Sequence, residues 1–311
     1  MSIGVGLLVS FISISLLANN RIHFSTGRTY PPSVTLETSL PTPAKVQQYG
    51  ECHILAAVTA AEAACFRHTR KKFSLSSAFQ FYRHIRAQLE NPNSRSFLTR
   101  FNDGQFSQND AGIFETTLER IQNDNVMLES EYTMTQFNQA ATTALKIRNQ
   151  YWDLYFSKNN PNQFEFENKM RKQLTADLDE SVKSVNPLVI SKDETGWTQI
   201  VSKIARHPLQ ACEFPKLNIM HFKVTPERAV ALINNGIPFI CQTKLGGTRG
   251  QHVVLYAGYK LSPSHHENLT FNVRDSRLSR LVDTGWAPYC VRAVVVFNPE
   301  ERNTVLKSIN L

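Results

Sequence analysis

QQYGECHILAAVTAAEAACF, residues 47–66, puts a cysteine where a polar stretch turns into a small, apolar, helix-forming run. Ile54, Leu55, Val58, Ala61, Cys65 and Phe66 recur at helical spacing, and the alanines between them let neighbouring elements approach closely. The stretch therefore predicts a central helix that begins at Cys52 and is buried on most sides. A thiol in the first turn of such a helix lies against the positive end of the helix dipole, which favours the thiolate form. Taken alone, a single cysteine is more often a packed structural thiol, so the case for chemistry rests on what the rest of the chain brings to it.

Upstream, residues 29–46 (TYPPSVTLETSLPTPAKV) are rich in Pro, Ser and Thr and predict an extended arm. Before the arm, Ile3–Ala18 is uncharged and sixteen residues long, short for a membrane span and suited to the apolar core of an export signal. Residues 1–28 are expected to be an export signal or, alternatively, an N-terminal membrane anchor through residues 3–18. The expected location is secreted or extracytoplasmic. The five cysteines are too widely spaced for a CxxC metal site. In an oxidising compartment up to four can pair and one stays free; spacing does not decide how Cys65, Cys212, Cys241 and Cys290 pair.

With 311 residues, 41% of them hydrophobic and 10% aromatic, the chain can bury a large core. Its formal charge of +8 is spread along the sequence, so nucleic acid is not an expected partner. Further helices are expected over Ser76–Glu90, Asn109–Asp124 and Glu227–Asn235, with a polar, mostly helical stretch from about 134 to 206. Phe239–Lys244, His252–Tyr259, Leu269–Asp275 and Arg292–Phe297 read as strands between turn-forming residues. Helices first and an antiparallel sheet last predict an α+β protein with a helical lobe (42–133), a variable helical insertion (134–206) and a β lobe (207–311), meeting at a cleft.

A thiolate needs a proton partner, and His252 is the best placed of nine histidines, since GTRGQHVVLYAGY sets it at the start of an apolar strand. An imidazole that exchanges protons with a thiol needs its other nitrogen fixed, and FNVRDSR supplies Asp275, with Asn272 nearby, at the end of the next strand. Acyl transfer also requires oxyanion donors: the Cys52 backbone N–H and the side-chain amide of Gln47 or Gln48.

These segments resemble the papain-like cysteine protease family. TPAKVQQYGEC resembles that family's TPVKxQGxCGxC entry to the nucleophile helix. Asp110-Ala-Gly112 and NVMLESEYTM resemble its glycine pair and the stretch that follows. GIPFICQTKL with RGQHVVLYAGYK resembles the strand pair carrying the catalytic histidine, and FNVRDS stands where the family has Ile-Lys-Asn-Ser-Trp. The order is kept across residues 42–276. The resemblance implies a two-lobed papain-like fold, Cys52 as nucleophile, His252 as base and acid, and Asp275 in the orienting position. It further implies Gln47 or Gln48 at the oxyanion, Ala111 and Gly112 along the substrate edge, and a peptide or protein substrate hydrolysed without cofactor or metal.

The departures are specific. Asp275 replaces an asparagine, His53 stands where an aromatic follows the nucleophile, and Arg277 stands where a tryptophan shields the site. His53 alone reads as a solvent-facing first-turn residue. His265 and His266 with His221 lack ligand spacing, and Gly246–Gly250 precedes a strand instead of a helix, so neither metal nor phosphate binding is expected. Two other readings share the residues: a transglutaminase-like acyltransferase, and a silent peptide-binding module that kept the cleft.

Overall fold

The computed structural model describes residues 21–37, 40–48, 50–90, 114–123, 126–142, 163–185, 191–192, 198–199, 217–244, 251–261, 269–277, 281–284 and 290–310. Its organising element is helix α1 (Cys52–Thr69), buried without a break from Cys52 to Cys65. The Ala-rich sequence accounts for this, because small side chains admit neighbours on every side. α2 (Ser77–Glu90) and α3 (Phe114–Asn123) pack on one side of α1, and the sheet packs on the other. Ser76 caps α2 by accepting a hydrogen bond from Phe79 N–H at 2.9 Å.

The polar stretch expected to be a helical insertion yields α4 (Gln163–Val185), which is tied into the body of the protein. Its Leu178 and Val182 are fully buried, and Asp179 accepts from Tyr82 Oη at 2.7 Å and Arg86 Nε at 2.8 Å, both on α2. In the second half, α5 (Pro226–Asn234) starts at Thr225, whose hydroxyl accepts from Arg228 N–H, with Pro226 in the first turn. It ends before Gly236, where φ is 76°.

Ahead of α1, residue 22 onward contributes β1 (Ile22–His23), and the arm contributes β2 (Thr29–Tyr30) and β3 (Ser33–Thr35). A short hairpin pairs β4 (Ser191–Lys192) with β5 (Thr198–Gln199). The main sheet contains β6 (Asn218–Phe222), β7 (Phe239–Lys244), β8 (Gln251–Leu261), β9 (Leu269–Arg274), β10 (Leu281–Thr284) and β11 (Cys290–Phe297) in the order β10-β9-β8-β7-β11-β6, all antiparallel. Over its first half β8 pairs with β7, and over its second half with β9 and with β3 from the arm. Gly258 makes that threefold approach possible: a Cβ there would sit 2.6 Å from Asn272 Oδ1 and 2.9 Å from the Val34 carbonyl oxygen.

The α+β architecture and the four expected strands are present. The sequence reading missed the short strands β1 to β5, including the hairpin inside the stretch read as mostly helical, as well as β6, β10 and a C-terminal helix α6 (Arg302–Ile309). The last is docked by Arg67 of α1, which grips Glu301 with Nε and Nη2 at 2.6 and 3.1 Å. Only Phe114–Asn123 of the expected Asn109–Asp124 helix falls within the described residues. Cys241 and Cys290 form a disulfide between β7 and β11, and Cys65 is also disulfide-bonded. Cys52 is the free thiol among the described residues. Disulfides persist in oxidising compartments, which agrees with an extracytoplasmic setting. No helix among the described residues is long and apolar enough to cross a membrane; residues 1–18 lie outside them.

Candidate active site

The first turn of α1 carries no acidic residue and no side-chain cap, and the N–H groups of Ile54 and Leu55 close on the Glu51 carbonyl oxygen at 2.9 and 3.0 Å. Cys52 sits in that turn, 7% exposed. Across from it, His252 is the second residue of β8, and Asp275 follows the last residue of β9. Arg274 pairs with Leu255, so one step further along the register Asp275 lies opposite Val254, which shares a face with His252 through the two-residue period of a strand. The chain turns at Ser276, and the Asp275 carboxylate reaches the ring: His252 Nε2 to Asp275 Oδ1 is 2.7 Å.

His252 also hydrogen-bonds Cys52, and because Nε2 is committed to Asp275, Nδ1 is the nitrogen that faces the sulfur. Burial works against a charged ring, but the hydrogen bonds from Asp275 and Cys52 outweigh it and push the His252 pKa up to about 9. Burial likewise opposes ionisation of Asp275; hydrogen bonds from His252 and Arg277 win and hold the carboxyl well below the usual range. The three residues expected to come together are therefore one hydrogen-bonded chain, from Cys52 through His252 to Asp275.

The two glutamines separate. Gln47 N–H donates to the Ser276 carbonyl at 2.7 Å, and its side-chain Oε1 accepts from Ser276 Oγ at 2.6 Å. Gln48 is turned the other way, its Oε1 accepting from Asn138 Nδ2 at 2.9 Å. Ala111 and Gly112 lie outside the described residues, as do His265, His266 and the Gly246–Gly250 loop. His221 is exposed and lies 3.9 Å from Glu115 Oε1.

One expectation is overturned. His53 does not face solvent: it is 1% exposed, with Nδ1 3.2 Å from the Gly50 carbonyl oxygen and its ring 5.0 Å from that of His84. Its neighbour Cys52 faces the sheet, so the next side chain around the helix turns inward between α1 and α2. Burial is the main reason its pKa falls to about 3, with the His84 charge adding to it.

The structure also supplies partners that sequence reasoning did not identify. Arg277 wraps the Asp275 carboxylate: Nη2 to Oδ2 is 2.6 Å, Nε is 3.2 Å from each oxygen, and the Arg277 N–H donates to Oδ1 at 2.9 Å. The signal was the Asp-x-Arg spacing in VRDSR. Further along α1, buried Glu62 accepts from Thr42 Oγ1 at 2.5 Å, Leu75 N–H at 2.7 Å and Lys45 Nζ at 3.3 Å. That cluster pins the 42–45 segment along α1 and so delivers Gln47 to the helix start. A small cavity behind Cys52 is lined by Lys45, Thr59, Val253, Arg274 and Ser276 among others.

No protein-family model and no curated protein matches the chain. Among solved structures, the chain is similar to digestive procathepsin L 3 of the Tenebrio molitor larval midgut, at a TM-score of 0.45 and 12% sequence identity, covering 90% of this chain and 74% of that one.

Proposed function

We propose that the chain is a papain-like cysteine peptidase that hydrolyses peptide or isopeptide bonds through an acyl-enzyme on Cys52. The observation that carries this reading is the buried Cys52–His252–Asp275 chain of hydrogen bonds, with the sulfur at a helix N-terminus. In the resting site His252 faces the Cys52 sulfur, and its ring takes the thiol proton as the sulfur attacks. The sulfur attacks the carbonyl carbon of the scissile bond, and the oxyanion is met by the Cys52 backbone N–H and by the side-chain amide of Gln47. Ser276 holds the acceptor end of that amide, which fixes Nε2 as its donor end.

His252 gives its Nδ1 proton to the leaving amine as the C–N bond breaks, leaving a thioester on Cys52. The neutral ring then takes a proton from water, whose hydroxide attacks the thioester carbonyl, and the thiolate leaves as the acid product forms. Asp275 keeps Nε2 protonated and the ring oriented throughout. The substrate is an extended peptide or protein segment, and export through residues 1–28 would bring the enzyme to it.

Treatment with a peptidyl epoxide at neutral pH, followed by mass spectrometry of the digest, tests the reading. The label is expected on Cys52 and absent in Cys52→Ala. Products formed in the presence of a primary amine distinguish hydrolysis from acyl transfer. A Cys52 that takes no label while the protein binds peptide would replace the enzyme with a binding module.

A further inference from the structure

Asp275 has more partners than an orienting residue requires. Its Oδ1 accepts from His252 Nε2, Arg277 N–H and Arg277 Nε, and its Oδ2 accepts from Arg277 Nη2 and Nε. One oxygen is thus shared between the ring and the guanidinium, and the other belongs to the guanidinium alone. The carboxylate is 9% exposed, whereas the Arg277 side chain is 50% exposed. The cation is the solvent-facing end of the chain.

The charges explain why such a clamp matters. An imidazolium between a thiolate and an unshared carboxylate has two anions stabilising it, and a ring held too firmly charged resists releasing its proton to a leaving group. A guanidinium bound to both oxygens of the carboxylate opposes that field at the ring, while keeping the short hydrogen bond that fixes its orientation. Resting on the proposed peptidase reading, we propose that Arg277 is a positioning residue that acts through Asp275: the pair works as a neutral unit, doing for His252 what a side-chain amide would do.

Among the described residues, the charged or titratable groups facing His252 are Cys52 from α1 and Asp275 after β9, with Arg277 behind the latter. Strand β7 brings Thr243, whose hydroxyl donates to the His252 carbonyl oxygen. Lys45 and Arg274 line the cavity on the other side of Cys52. Lys45 is bound to Glu62 and Glu129, and Arg274 donates to the Thr42 carbonyl oxygen.

The test is the titration of the His252 ring by NMR in the full chain carrying Cys52→Ala, which removes the sulfur and needs no turnover. In that background Arg277→Gln is expected to raise the His252 pKa by about one unit, the lower end of the shift produced by an unshared opposite charge in contact. Asp275→Asn is expected to lower it, because the guanidinium then faces the ring unpaired. The double variant Asp275→Asn/Arg277→Gln is expected to return it most of the way, and Arg277→Lys to hold it near the parent value. A His252 titration that ignores Arg277→Gln, or a double variant whose titration lies as far from the parent as the Asp275→Asn variant, would overturn the proposal. If Arg277→Gln does not fold, the double variant and Arg277→Lys carry the same comparison against Asp275→Asn. Failure of the peptidase reading shows separately, as an unlabelled Cys52 in the parent chain.

Discussion

Helix α1 carries two buried polar clusters, one at Cys52 and one at Glu62, and they are built on opposite plans. Around Glu62 every partner closes back on the protein: a hydroxyl, a backbone N–H and a lysine that also reaches the Leu75 carbonyl oxygen and Glu129. Burial is the main cause that raises the Glu62 pKa, with Lys45 and Thr42 opposing it. Around Cys52 the partners form an open line, with a sulfur at one end and a half-exposed arginine at the other. A closed cluster can only hold the structure in place. An open one with an unoxidised thiol at its inner end can exchange a proton with something that arrives.

Substitutions at the two clusters should separate accordingly. Cys52→Ala and His252→Ala are expected to abolish peptide hydrolysis, by about a thousandfold or more, with little change in thermal stability. Residual turnover within tenfold of the parent would break the contrast. Glu62→Ala is expected to do the reverse, destabilising the fold by about 3 kcal/mol because Thr42, Lys45 and the Leu75 N–H lose a buried partner. Denaturant titration would show it, and the fraction that stays folded should still label at Cys52.

The glutamines offer a finer division. Gln47→Ala is expected to lower kcat/KM by about a hundredfold, the scale of losing one oxyanion donor. Gln48→Ala, directed at Asn138, should cost no more than about threefold, the scale of an exposed polar contact. Equal losses at both positions would show that neither amide acts at the oxyanion.

The smallest expected effect concerns His53. Its folded pKa lies below its unfolded one, so its contribution to stability is present above the unfolded value of 6.5 and is lost as pH falls toward about 3. The slope is at most about 1.4 kcal/mol per pH unit for one proton. His53→Gln should flatten the fall in melting temperature between pH 6.5 and 4, a window above the one in which Asp275 protonates. An unchanged acid limb would show that His53 is not the sensor.

Much of the candidate site was legible because its residues sit at element boundaries that the sequence marks. The alanine run fixes where α1 starts, and the apolar strands fix where His252 and Asp275 end up. The glutamine question was not legible, since Gln47 and Gln48 differ only in which way the chain leaves Lys45. That direction is set by Glu62 and Ser276, each distant from them in sequence. His53 was misread because one residue's side cannot be assigned when a helix is buried all round. The missed strands β6 and β10 carry polar residues such as Asn218, His221 and Asp283, as edges of a sheet do, and so lack a strong apolar period.

The central claim is that Cys52 is a nucleophile activated by His252, and the pH dependence of iodoacetamide alkylation at Cys52 measures it most directly. The account predicts alkylation far faster than a model thiol near pH 6, with a change in rate on the alkaline side as His252 loses its proton at about 9. His252→Ala should abolish the low-pH reactivity. A Cys52 that reacts no faster than a model thiol at every pH, with or without His252, would contradict it.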